Sequence, residues 1–249
     1  MSEFFAYLVR LGDDRLVLGH RLSEWCGHGP ILEEDIALTN IALDLVGQAN
    51  LLLQRAGEIE GEGRDQDALA FLREVTDYRN ALMLELPNGD FGFTIARQFL
   101  FSTFALHQWD ALTRAKDDDL AGIAAKAVKE TRYHVRHSAD WMLRLGDGTE
   151  ESHTRAQRAL DELSPYVAEF FDTDNVERAV VKDGLGVDSS SLEKAWRADV
   201  SDVLTRATLE LRAAPFAQRG GRSGKHTEHL GHMLTEMQSL PRAYPGAKW

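Results

Sequence analysis

The sequence predicts an all-α protein, and three observations carry that expectation. Long stretches place apolar residues at helical spacing, and strand-like alternation is nearly absent. Short Gly, Pro or Asp clusters cut the chain into helix-length pieces. The first helix is expected from about Glu3 to Trp25, with Leu8, Leu11, Leu18, Leu22 and Trp25 as its seam. Gly27-His28-Gly29-Pro30 stops it. The second runs from about Leu32 to Glu58, with Glu33, Glu34 and Asp35 complementing the dipole of its first turn. Its apolar residues Ile36, Leu38, Ile41, Leu43, Leu45, Val46, Leu52 and Leu53 point almost all round, the pattern of a central, buried helix.

A polar stretch at Gly61–Asp65 leads to a shorter predicted helix near Asp67 to Leu86, and Pro87-Asn88-Gly89-Asp90 is a turn. The third long helix spans about Thr94 to Lys116 and is rich in aromatic residues: Phe99, Phe101, Phe104 and Trp109. Asp117, Asp118 and Asp119 cap the fourth, which continues to about Leu145. Further helices are expected near Glu151–Phe171, Asn175–Val181, Ser191–Leu209 and His226–Leu240. Four long helices of roughly 22 to 28 residues, each about 33–42 Å, joined as two hairpins describe a four-helix bundle with additional C-terminal helices. The long connection between the second and third is the crossover of ferritin-like folds, so residues 1–249 read as a single ferritin-like domain.

Composition narrows the function classes. Hydrophobic residues make up 43% and charged residues 27% of the 249, which is a globular balance with a sizeable core. A net charge of -12 argues against a general nucleic-acid binder. The single cysteine, Cys26, precludes an intrachain disulfide and points to a reducing cytoplasm. The N-terminus lacks the basic and apolar regions of a signal peptide, and no run of about 18 apolar residues suggests a membrane span.

A bundle of this shape invites a test for diiron chemistry, which needs a Glu on each of two helices and Glu-x-x-His on each of the other two. The second helix has no histidine, since none occurs between His28 and His107. The fourth has Glu130 and His134 four apart, with Tyr133 at the i+3 position. That pair alone leaves open a stand-alone ferritin-like metalloenzyme using Glu130 and His134. The literal Glu-x-x-His, Glu150 to His153, lies beside a glycine-rich turn and reads as a helix cap. No metal site, and no catalytic residue, is expected in this chain.

Polar stripes run along the same helices: Asn40, Asp44 and Gln48 on the second; Lys126, Glu130 and His134, with Lys129 adjacent, on the fourth. One reading has them facing solvent or another protein chain. The other buries ion pairs such as Asp44 with Lys126 or Lys129 where metals would sit, because buried charges must be paired. His226, Glu228, His229 and His232 form the densest histidine cluster, expected to cap a helix and make interface contacts. The loop Arg219-Gly-Gly-Arg-Ser-Gly-Lys225 fails the P-loop pattern. It reads as a flexible connection or as a surface for phosphate or, preferably, a partner chain.

Several strings are specific enough to suggest a family. Leu11-Gly-Asp-Asp14, Arg21-Leu-Ser-Glu-Trp-Cys-Gly-His28 and Ile41-Ala-Leu-Asp-Leu-Val-Gly-Gln48 come first. Leu86-Pro-Asn-Gly-Asp90, Ile95-Ala-Arg-Gln98 and Lys126-Ala-Val-Lys-Glu-Thr-Arg-Tyr-His134 follow, then His226-Thr-Glu-His-Leu-Gly231 and Glu236-Met-Gln238. In order and over essentially the whole chain, these resemble the C-subunit family of phenylacetyl-CoA 1,2-epoxidase, the phenylacetic acid degradation protein C family. The resemblance implies a ferritin-like, non-catalytic structural component of a monooxygenase complex in aerobic phenylacetate catabolism. It implies pairing with the catalytic A-subunit, which carries the diiron centre, with other epoxidase subunits, and with a reductase that uses NADPH. It also implies contact with the substrate phenylacetyl-CoA at Asp77, Tyr78, Arg79 and Asn80 and at Arg178, Ala179 and Val180. Arg79 and Arg178 give that mapping chemical sense, since guanidinium groups suit CoA phosphates.

Overall fold

The structure, a computed structural model, describes residues 2–247. Every regular element among them is helical, so the all-α class holds. The chain divides into two compact units, Met1–Pro87 with Arg219–Trp249, and Asn88–Gln218.

In the first unit, α1 (Glu3–Ser23) and α2 (Leu32–Glu60) form an antiparallel hairpin. α1 is buried over nearly its whole length, and the charged residues Arg10, Asp13, Asp14, Arg15 and Arg21 are buried with it. Gly12 faces Leu53 and Gly19 faces Ala42 and Val46, so the two helices approach closely at both glycines. The structure departs from the expected burial of α2. Leu32, Ile36, Leu43 and Val46 are 72%, 52%, 65% and 38% exposed, and their spacing puts them on one face of the helix. α2 is long and apolar enough to fit a bilayer by composition, but half of that stretch is buried inside the protein. It is a core helix with one bare apolar face.

The helix expected over Asp67 to Leu86 breaks into pieces. α3 (Gln66–Phe71), a 3-10 turn at Val75–Asp77 and α4 (Leu82–Glu85) are joined by the irregular backbone of residues 78–81. Charged side chains from distant parts of the sequence cause the break, as the site geometry shows. Two short helices, α10 (Glu228–Met237) and α11 (Ser239–Ala243), complete this unit, and Gln238 separates them where the sequence predicts one helix.

The second unit holds α5 (Phe91–Leu112) and α6 (Asp118–Gly146), packed as a hairpin. Asp90 accepts from Phe93 N at 2.9 Å and starts α5 before Thr94. Asp117 caps α6 by accepting from Leu120 N at 2.8 Å. α7 (Glu150–Leu163) gives way at Pro165 to a 3-10 stretch, Ser164–Phe171, and α8 (Asn175–Asp183) and α9 (Glu193–Arg206) follow. The core here is aromatic. Phe104 stacks on Phe170 with ring centres 5.1 Å apart, Phe171 meets Trp196 at 5.2 Å, and Trp196 Nε1 donates to Leu100 O at 2.9 Å.

The reading of buried ion pairs is corrected at its lysines, which face solvent. Gln48 and His134 are buried, whereas Asn40, Lys126 and Lys129 are exposed. Lys126 lies 3.6 Å from Glu130 on its own helix. His153 faces Gly146 O through Nδ1 at 2.9 Å, which ties the start of α7 to the end of α6. Among the described residues no group of three or more His, Cys, Asp or Glu side chains is placed to hold a metal ion. Glu130 and His134 do not belong to one.

Candidate functional site

Asp13 and Asp14 stand side by side in α1, both fully buried. Adjacent buried carboxylates repel unless each is matched by a cation and hydrogen-bonded. Two arginines meet them. Arg73 grips Asp13 through both terminal nitrogens, with Nη1 at 3.0 Å from Oδ2. Arg222 takes Asp14 as a bidentate pair, Nη1–Oδ1 and Nη2–Oδ2 both at 2.9 Å, the strong planar geometry of guanidinium and carboxylate. Each aspartate also accepts a backbone N–H: Asp13 from Arg79 at 2.8 Å and Asp14 from Ala81 at 2.9 Å.

Glu85, at the end of α4, adds a third buried carboxylate to this cluster. It accepts from Asn80 Nδ2 at 2.9 Å and from the Thr227 N–H, and it faces His226 Nδ1 at 2.8 Å. The other ring nitrogen, Nε2, is 3.0 Å from Tyr78 O. A carbonyl only accepts, so Nε2 carries a proton, and Nδ1 is turned to the Glu85 carboxyl group. Burial opposes the charge on His226, but the Glu85 carboxylate outweighs it and raises the histidine above its ordinary value. The same balance raises Arg73, where burial acts against the charge and Asp13 for it. Arg15, fully buried beside Asp14 and Arg222, is pushed down by burial to about 10. Tyr78 is raised by burial; its hydroxyl donates to Ala70 O and accepts from Gln238 Nε2 at 3.2 Å, while Arg73 lies 4.2 Å from its ring centre.

These contacts fix the irregular segment 76–81 almost group by group. Asp77 O accepts from Arg73 Nη1 at 3.2 Å, Tyr78 O from His226, and Arg79 O from Arg222 Nη1 at 2.8 Å. Backbone groups without helical or sheet partners must be paired elsewhere, and here buried charges pair them.

The glycine-rich loop is neither a loose connection nor an open phosphate cradle. It packs flush on this segment: a Cβ at Gly221 would stand 2.0 Å from Asn80 O, and one at Gly224 would stand 2.4 Å from Thr76 O. The expected helix-capping role of the histidine cluster also changes. His226 lies before α10 and locks Glu85, while His229 contributes its carbonyl to Arg21 at 3.2 Å.

Of the residues the sequence singled out, Asp77–Asn80 lie in this clamped segment. Tyr78 and Asn80 are buried, Asp77 is exposed and accepts from Glu74 N at 3.1 Å, and Arg79 is half-buried. Arg79 Nη1 donates to Thr76 O at 2.7 Å and Tyr78 O at 2.6 Å. Arg178, Ala179 and Val180 are in α8 of the other unit. Arg178 is exposed and bonds Thr173 O at 2.9 Å and Asn175 Oδ1 at 2.8 Å; Ala179 is half-buried and Val180 buried. Sequence reasoning singled out His226 and the loop that carries Arg222 but gave them other roles, and it missed the buried charges Asp13, Asp14, Arg73 and Glu85 that they meet. The available signal was the pair of adjacent aspartates in a helix otherwise built for burial.

The whole chain matches the family described as "Phenylacetic acid catabolic protein", over residues 1–249. It is also 47% identical over 249 residues to the C-subunit of 1,2-phenylacetyl-CoA epoxidase from Escherichia coli (strain K12), covering 100% of both chains. A match of that extent, in which no part of either chain is left out, shows that this chain belongs to the phenylacetic acid catabolic protein family.

Proposed function

We propose that this chain is the C-type structural component of a phenylacetyl-CoA 1,2-epoxidase complex in phenylacetate catabolism. It pairs with and stabilises the catalytic A-subunit, which carries the diiron centre, while a reductase draws electrons from NADPH. Ring epoxidation takes place in the partner, and this chain supplies no catalytic residue. The full-length likeness to the Escherichia coli protein supports the assignment. The physical observation that carries it is the bare face of α2. Leu32, Ile36, Leu43 and Val46 form an apolar stripe along one helix, a feature of protein interfaces. That the two units compose a single ferritin-like domain, and that the complex works in the cytoplasm, belong to the same proposal. The sole cysteine, exposed and free, suits a reducing compartment.

Within the complex, Asp77–Asn80 and Arg178–Val180 contact the CoA ester. Only Nη1 of Arg79 is used by protein carbonyls among the described residues, which leaves the rest of its guanidinium group for a phosphate. Co-expression with the catalytic partner tests the pairing: the proposal expects a stable complex that Leu43→Glu with Ile36→Glu abolishes. A complex unaffected by both changes would remove α2 as the contact. Arg79→Ala with Arg178→Ala is expected to weaken binding of phenylacetyl-CoA to the assembled complex, and unchanged affinity would remove the substrate role.

A further inference from the structure

The C-terminal residues 219–227 cross the segment that carries Asp77–Asn80 and contact it at four successive points. Gly221 lies against Asn80 O, Gly224 against Thr76 O, Arg222 bridges Asp14 and Arg79 O, and His226 bridges Glu85 and Tyr78 O. All four contacts reach a backbone carbonyl of residues 76–80, and Gly224 also lies against the Arg79 side chain. A strap that only filled space would bury side chains; this one fixes main-chain geometry.

We propose that residues 219–227 are a positioning strap, with Arg222 and His226 as positioning residues that hold segment 76–81 in the conformation that presents Arg79 to an anionic ligand. The presentation of a CoA ester rests on the function proposed above; the clamping does not. Arg79 is aimed by its own backbone: its N–H is held by Asp13, its carbonyl by Arg222, and its Nη1 by the carbonyls of Thr76 and Tyr78. Tyr78 O is shared between Arg79 and His226, so the imidazole and the guanidinium group are coupled through one oxygen. Gly221 and Gly224 are required because no side chain fits between strap and segment.

Amide hydrogen exchange on the full chain tests the clamping. In Arg222→Met the amides of Arg79 and Ala81 are expected to exchange about tenfold faster or more, which is roughly 1.4 kcal/mol of lost local protection. Those of α5 and α6 are expected to stay at wild-type rates, and Arg222→Lys should recover part of the loss. His226→Asn, which keeps a donor toward Glu85 but not toward Tyr78 O, should loosen the same segment. Gly224→Ala separates strap from segment without removing a charge, so it serves if the charge variants do not fold. Unchanged exchange at residues 76–81 in folded Arg222→Met or Gly224→Ala would overturn the strap.

The assembled epoxidase tests the presentation. Arg222→Met should raise KM for phenylacetyl-CoA about tenfold with kcat held, the loss of uniform binding, and Arg222→Lys should restore part of it. If Arg79→Ala raises KM and Arg222→Met loosens the segment without raising KM, presentation fails while the substrate reading stands. If Arg79→Ala leaves KM unchanged, the substrate reading fails, and the exchange data still decide the clamp.

Discussion

His226 Nδ1 lies 2.8 Å from Glu85 Oε2, and the two side chains are 1% and 0% exposed. Far apart in sequence, they close the first unit by fastening its C-terminal segment to the end of α4. Nε2–H donates to Tyr78 O while Nδ1 faces the carboxyl group, and Glu85 raises the histidine above its ordinary value against the opposing effect of burial.

That pair predicts a direction for stability against pH. His226 has a folded-state value above its unfolded one, so its contribution is fully present below the unfolded value of about 6.5 and is lost as pH rises through the folded value. The groups around it are Glu85 on α4, Asp13 on α1, the Asp14–Arg222 pair, Arg73 and Arg21. His20 is lowered by burial and by Arg21, so it works in the opposite sense: its neutral form is favoured, and stability is lost as pH falls through the unfolded value. Tm of the wild type is expected to fall with rising pH above neutrality more steeply than Tm of His226→Gln. Parallel curves would refute the charged state of His226.

Asp14→Ala leaves the fully buried Arg15 and the mostly buried Arg222 without their shared anion. Removing one partner from a buried ion pair costs about 3–5 kcal/mol, so a loss of less than about 1 kcal/mol in denaturant unfolding would contradict the clamp geometry.

The stripe on α2 makes the reverse prediction. Leu43 is 65% exposed, and Leu43→Glu should change the stability of the isolated chain by no more than about 0.5 kcal/mol. Combined with Ile36→Glu, the change should prevent co-purification with the catalytic partner. A variant that still co-purifies, or one that unfolds alone, would mean that the stripe is not an open contact face.

In the second unit, Trp196 is fully buried against Phe171 and donates to Leu100 O. Trp196→Ala should cost about 3–5 kcal/mol, read by denaturant unfolding, with Trp196→Phe losing only the hydrogen bond and part of the packing. Equal losses for the two variants would show that the hydrogen bond, and not the ring, fixes α9.

The long helices were legible because their signals are local. Asp117 caps α6 as its acidic triplet predicts, and Leu8, Leu11, Leu18 and Leu22 mark α1 as a helix, whereas Asp90, read as part of a turn, caps an α5 that starts earlier than predicted. The break between α3 and α4 was not legible. Nothing near Tyr78 forbids a helix; the competitors are Asp13 and Asp14, far upstream, and Arg222 and His226, far downstream. Periodicity also misassigned the burial of α2. Leu32, Ile36, Leu43 and Val46 look the same in sequence whether a face is covered by the chain itself or left for another protein. Asp77–Asn80 were reached through resemblance, while the charges that hold them came into view only in three dimensions.

The most direct test is to purify the complex with its catalytic partner, separate the chains and measure iron in each. Iron is expected with the catalytic partner and none with this chain, in a complex that Ile36→Glu with Leu43→Glu dissolves. Stoichiometric iron in this chain alone would contradict a structural, metal-free role.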